Sequence, residues 1–276
     1  MFFTGLAAVL LCLVGIALGQ TTGNSFLGFD RNDYPGDANL KVLRQAFSFT
    51  GYWLNNPPGE KSNSWVGKRK AVESAGFGFL VLYNGRLYAE LKNVSRAAAL
   101  GKADAQGAVA AAKREGFPRD TIIFLDQEQG GRMLPEQKAY IYTWVDTVSA
   151  NSFRAGIYCS GIAAPESGGG RIVTANDIQQ NSHGRKILYF VTNDACPPAP
   201  GCAAAKPWPS PQESGTSFAD IWQFAQSPKR KDVAAGCPAN YNADGNCYPP
   251  NLDPAQQLHV DLDTASRPDP SHGRTE

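Results

Sequence analysis

Short apolar runs recur along the chain, and several of them stop on an acidic or aromatic residue. Runs over 26–30, 47–54, 78–85, 122–128, 154–160, 186–192, 218–225 and 258–263 are of strand length and rich in Phe, Ile, Leu, Val and Tyr, so each is expected as a β-strand. Helical patterns over 38–46, 65–74, 95–115, 134–151 and 172–181 separate most of them. The segment 95–115 is the clearest, because it is rich in Ala and stops at Gly116-Phe117-Pro118. Strands alternating with helices imply a parallel sheet, and about eight of them favour closure into a barrel over an open sheet. The stretches 196–215 and 226–253 carry neither period and are crowded with Pro, Gly and Asn. The expected fold is therefore α/β, an irregular (β/α)8 TIM-like barrel with long disulfide-stapled loops in its last third. No Gly-x-Gly-x-x-Gly follows the first strand, which argues against a dinucleotide-binding sheet.

One apolar run does not belong to this pattern. Residues 1–20 hold an unbroken apolar run over 6–18 and end in Ala17-Leu18-Gly19 before Gln20, as in a cleaved secretory signal. The remainder, roughly 255 residues, suits one barrel domain over 21–265 with a polar C-terminal tail at 266–276. The early run is short for a bilayer span and no later stretch approaches about 20 apolar residues, so a secreted chain without a membrane partner is expected. Its location would be extracellular or cell-wall associated, and its state monomeric. With 26 basic and 25 acidic residues and no long run of one sign, nucleic acid is not an expected partner.

Five cysteines follow the signal, at 159, 196, 202, 237 and 247. Their spacing suggests two local disulfides, Cys196 to Cys202 and Cys237 to Cys247, in an oxidising compartment. Cys159 ends the apolar run 155–158 and reads as a small buried hydrophobe. Scattered histidines and the lack of Cys-x-x-Cys argue against zinc, and no cofactor is expected.

The acids carry the candidate chemistry. Ile122-Ile123-Phe124-Leu125 runs straight into Asp126 and Glu128, and in an extended strand that spacing places both carboxyls on one face. Asp30 closes the first strand, and Asp261 with Asp263 closes the last. Barrel active sites lie at the C-terminal strand ends, and the first and last strands are neighbours, so these acids should converge on one mouth. Tyr52, Trp53, Tyr83, Tyr158 and Trp222 fall near strand ends, where rings can stack on sugars. Carboxyls in unlike environments suit glycosidic-bond cleavage: Glu128 as the protonated acid and Asp126 or Asp30 as the charge-stabilising carboxylate.

Gly28-Phe29-Asp30, Phe124-Leu125-Asp126-Gln127-Glu128, Ile221-Trp222-Gln223-Phe224 and Val260-Asp261-Leu262-Asp263 resemble, in this order, the strand signatures of family-25 glycoside hydrolases, the barrel-shaped lysozymes. They look closer still to the glycoside-hydrolase-like domain of secreted bacterial proteins related to those lysozymes. The resemblance spans 26–264. It implies Glu128 as acid, Asp30, Asp126 and Asp261 around it, and peptidoglycan as substrate. The first motif departs from the lysozymes: it continues Arg31-Asn32-Asp33-Tyr34, where they carry Ser and Gln.

Two other classes remain open. The barrel could be a catalytically weak or inactive carbohydrate- or cell-wall-binding module. Alternatively the acids could hold a metal, at Asp261 and Asp263 or in the loop 240–246. That loop has one carboxylate and no Glu at a twelfth position, which favours a stapled turn. Asn93-Val94-Ser95 fits a glycosylation acceptor if the source is eukaryotic.

Overall fold

In the computed structural model, residues 24–226, 236–237 and 247–275 are described. The expected signal segment, 1–20, and the loop 240–246 lie outside the described residues. The chain runs β1 (Phe26–Asp30), α1 (Asp37–Ala46), β2 (Phe49–Trp53), α2 (Arg69–Ser74), β3 (Gly78–Asn84), α3 (Tyr88–Leu91), α4 (Val94–Glu115), β4 (Ile122–Asp126), α5 (Pro135–Ser149) and β5 (Arg154–Ser160). A small hairpin, β6 (Ala163–Pro165) and β7 (Arg171–Val173), precedes α6 (Thr174–Gln180), β8 (Ile187–Thr192), β9 (Ile221–Ala225) and β10 (Asp261–Ala265). Eight strands close into a barrel in the order β1-β10-β9-β8-β5-β4-β3-β2, as the alternating pattern implies.

Seven of these strands run parallel, whereas β10 is antiparallel to both β1 and β9. Among the described residues no α-helix lies between β9 and β10, only a 3-10 turn over Pro254–Gln256, so no helical crossover of the kind that joins parallel strands is seen there. Two helices are shorter than expected. The pattern at 65–74 is helical only from Arg69, because Trp65 is buried in a turn with its indole Nε1 donating 2.9 Å to Asn32 O. At 172–181 the first residues pair in the hairpin before α6 begins.

Strand interiors are filled by alternating small and large residues. A Cβ on Gly28 would lie 2.2 Å from the Phe49 ring, and one on Gly51 would lie 2.6 Å from Asp30 Cβ. Glycine at 51 thus leaves the room in which the Asp30 side chain stands. Outside, α4 is capped by Asn93, which accepts from Arg96 N, and by left-handed Gly116. Residues 267–275 cover the end of the barrel opposite the β4 acids: Ser271 exchanges backbone bonds with Ile122 and Phe79, and Asp269 accepts from Phe79 N.

The disulfides correct the expected pairing. Cys196 joins Cys237 and Cys202 joins Cys247, with Cα separations of 4.5 and 5.3 Å. The two Cys-bearing loops lie against each other, so close that a Cβ on Gly236 would overlap Cys196 O, and each bridge therefore ties one loop to the other. Sequence proximity is a poor guide where the chain returns over itself. Bridges closing spans of 41 and 45 residues remove about 4 kcal/mol each from the unfolded chain's entropy. We expect non-reducing peptide mapping to recover 196–237 and 202–247 cross-links, and Cys202→Ser to lower the melting temperature by about 5 °C or more. Recovery of 196–202 would refute the pairing. Among the described residues no helix is long and apolar enough to cross a membrane.

Candidate active site

Alternation along each strand decides what reaches the mouth. Asp30 of β1, Trp53 of β2, Leu82 of β3, Asp126 of β4, Tyr158 of β5, Phe190 of β8, Gln223 of β9 and Asp261 of β10 all line one cleft of about 140 Å³. Asn32, Pro58, Glu128 and Gln226 complete its rim. Asp126 is the last residue of β4, opposite Tyr158 on β5, and Gln127 N still donates 3.0 Å to Tyr158 O. Glu128 then emerges exposed at the rim while Asp126 stays 5% exposed below it.

Gln223 organises the opposite wall. Its Nε2 donates to Asp30 Oδ2 at 2.9 Å and to Asp261 Oδ2 at 3.2 Å, and its Oε1 accepts from the Tyr158 hydroxyl at 2.8 Å. One amide thereby connects β1, β5, β9 and β10. Gln226 Nε2 donates to the same hydroxyl at 3.2 Å.

Desolvation dominates the electrostatics. Burial raises Asp30 to about 6, opposed by the Gln223 and Asp263 hydrogen bonds and reinforced by the charge of Glu128. Burial likewise holds Asp126 well above the usual carboxylate range, with Glu128 and Asp30 pushing the same way, and no donor reaches its Oδ1 among the described residues. Asp263 is pushed well up by burial first and then by Asp30 and Asp261. The Tyr158 hydroxyl is also raised, mainly by burial and then by Glu128 and Asp126. Burial thus pushes Asp126 toward its neutral form, beside an Asp30 raised to about 6.

The structure brings together Asp30, Asp126, Glu128, Asp261, Trp53 and Tyr158 from the expected set. It takes three aromatics away from the cleft. Tyr52, Tyr83 and Trp222 have the outward parity of their strands: Tyr52 hydrogen-bonds Glu115 at 2.5 Å, Tyr83 lies with its hydroxyl 3.1 Å from where a Cβ on Gly107 of α4 would be, and Trp222 Nε1 donates to Asn193 O. Tyr52 and Trp53 are adjacent on one strand and cannot both face inward. Asp263, also expected to meet substrate, is completely buried beneath the cleft. Gln223 was not expected, although a polar residue inside the apolar run 221–225 is the signal that marks it. Asp261 reaches the mouth because β10 runs in reverse and begins there, opposite Asp30. Among the described residues no group of three or more His, Cys, Asp or Glu could hold a metal ion.

Comparison with solved structures places this barrel among known ones. An uncharacterized B. stearothermophilus protein matches with 19% identity and a TM-score of 0.54, over 88% of this chain and 96% of that one. The Mycobacterium tuberculosis Tat-secreted protein Rv2525c, in complex with HEPES, matches with 12% identity and a TM-score of 0.51, over 89% and 96%. These two likenesses show the shared fold. A search of curated proteins gives no match. The model of the Rv2525c-like, glycoside hydrolase-like domain matches residues 52–231, well over half of the chain. The chain belongs to the family of Rv2525c-like, glycoside hydrolase-like domains.

Proposed function

We propose that this protein is a secreted glycoside hydrolase that cleaves a cell-wall polysaccharide of peptidoglycan type by carboxyl acid/base catalysis. The observation that carries the reading is the convergence of Asp30, Asp126, Glu128 and Asp261, from three different strands and one strand-end loop, on a single open cleft. Glycoside cleavage needs one carboxyl that delivers a proton to the leaving oxygen and a carboxylate that stabilises positive charge at the sugar ring. Glu128, exposed at the rim, is in this reading the acid that meets the glycosidic oxygen of a bound chain. Asp30, near 6, is ionised at neutral pH and supplies the charge. Asp126, pushed toward its neutral form by burial and by the charges of Glu128 and Asp30, faces the same space. Trp53 and Tyr158 line the cleft wall. The two disulfides suit an oxidising, extracellular location.

Incubating the purified chain with peptidoglycan sacculi, and separately with chitin oligomers, should release new reducing ends from the sacculi. Retention on sacculi with no release would support the alternative, a carbohydrate-binding barrel without turnover. Neither release nor retention would remove the glycan reading altogether.

A further inference from the structure

Asp263 lies one pleat below the acids of the cleft. Its Cα is paired with Gly28 of β1 on one side and with Gln223 of β9 on the other. The residue is 0% exposed, and neither carboxyl oxygen accepts a hydrogen bond from any donor among the described residues. The amide of its cross-strand partner is already committed, because Gln223 Nε2 is given to Asp30 and Asp261. Gly28 has no side chain, and the space above it is filled by the Phe49 ring. An ionised carboxylate in this position has lost its water and gained no donor, which is the costliest state a buried acid can occupy. A neutral carboxyl has an outlet, since Asp30 stands within hydrogen-bonding reach and can accept.

We propose that Asp263 is a positioning residue that keeps its proton in the folded protein and donates it to Asp30, holding that carboxylate oriented toward the cleft and ionised in preference to itself. Asp263 does not touch substrate; it acts through Asp30, and this proposal rests on Asp30 belonging to the catalytic set. The groups facing Asp263 are Asp30 from β1, Asp261 from β10 itself and the Gln223 amide from β9, and among the described residues no cation acts on it. Both acidic neighbours disfavour its ionisation, in the same direction as burial. The donated bond lowers Asp30 against the upward push of burial. Two like acids in contact are in this way made unlike, one neutral and one charged.

The proton has a thermodynamic signature that needs no substrate. Because the folded-state affinity of Asp263 for its proton exceeds that of the unfolded chain, its contribution to stability is complete below about pH 4 and is lost as pH rises toward the raised folded value. Asp263→Asn removes this dependence while its amide can still donate to Asp30. We expect the melting temperature of Asp263→Asn to exceed that of the wild type by a margin that widens from pH 5 to pH 8, reaching about 5 °C or more. One infrared band of a protonated carboxyl present in the wild type at neutral pH should be lost in Asp263→Asn, apart from any band that the buried Asp126 contributes. Asp263→Ala, which cannot donate, should shift the acidic limb of the activity profile upward, and Asp263→Asn should leave that limb in place. A constant margin across pH, with no carboxyl band lost, would overturn the proposal. If the wild type cleaves no glycan but the margin widens, the buried proton stands and the hydrolase reading fails.

Discussion

Exchanging Glu128 for Gln is expected to lower release of reducing ends from a responsive polysaccharide by roughly 10²- to 10⁴-fold, the range set by loss of a positioned general acid. The change keeps the side chain's size and removes its ability to give and take a proton together with its charge. Glu128 is exposed and lies past the end of β4, so the melting temperature should move little, as for a surface substitution within about 0.5 kcal/mol. It also relieves Asp126 and Asp30 of a nearby negative charge, which is among the causes raising both. The acidic limb attributed to Asp30 should therefore fall slightly below 6 in any residual activity. Retention on sacculi should persist, since Trp53 and Tyr158 are untouched. Unchanged hydrolysis in Glu128→Gln would sink its role as acid and direct attention to Asp126, the carboxyl that burial pushes toward its neutral form. Asp126→Asn, measured alongside, separates the two by which substitution removes the proton that the reaction needs.

The barrel was legible because strand and helix periods are local, and seven of its eight strands obey the parallel rule that this alternation implies. The eighth was legible as a strand but not in direction: the span from β9 to β10 carries no helical pattern, and only that lack hinted that the chain need not return before pairing. The acids were legible because Asp30 and Asp126 interrupt apolar runs at their ends, where burial would otherwise be costly. Which aromatics face the mouth was only half present in the sequence, as parity. Within each strand, alternation sets Tyr52 opposite to Trp53, Tyr83 to Leu82 and Trp222 to Gln223, but which of the two faces inward is fixed by the pairing between strands. The disulfides were not legible, since pairing depends on how two loops return over each other, which no local spacing records. Asp263 shows the same limit, because i, i+2 spacing from Asp261 predicts a shared face but says nothing of depth.

Replacing Gln223 with Leu should affect both activity and stability, because one amide satisfies three partners. Leu keeps the volume and removes the donors to Asp30 and Asp261 and the acceptor for Tyr158. The Gln223 hydrogen bond is the largest influence opposing desolvation of Asp30, so its loss pushes Asp30 further above 6. The acidic limb of the activity profile then moves to higher pH, and activity near pH 6 should fall by tenfold or more, while the gap to the wild type narrows as pH rises and Asp30 ionises in both. Stability should drop by about 1–3 kcal/mol from the buried groups left without partners. The sign of its pH dependence follows from the raised carboxyl: folding is favoured most below about pH 4 and the Asp30 contribution is lost on rising through about 6 in the wild type, and through a higher value in the variant. The extra destabilisation of Gln223→Leu therefore grows between those two values. A lower melting temperature with an unmoved activity limb would reduce Gln223 to a packing residue. A moved limb would place the charge of Asp30, and not merely its presence, in the rate-determining chemistry.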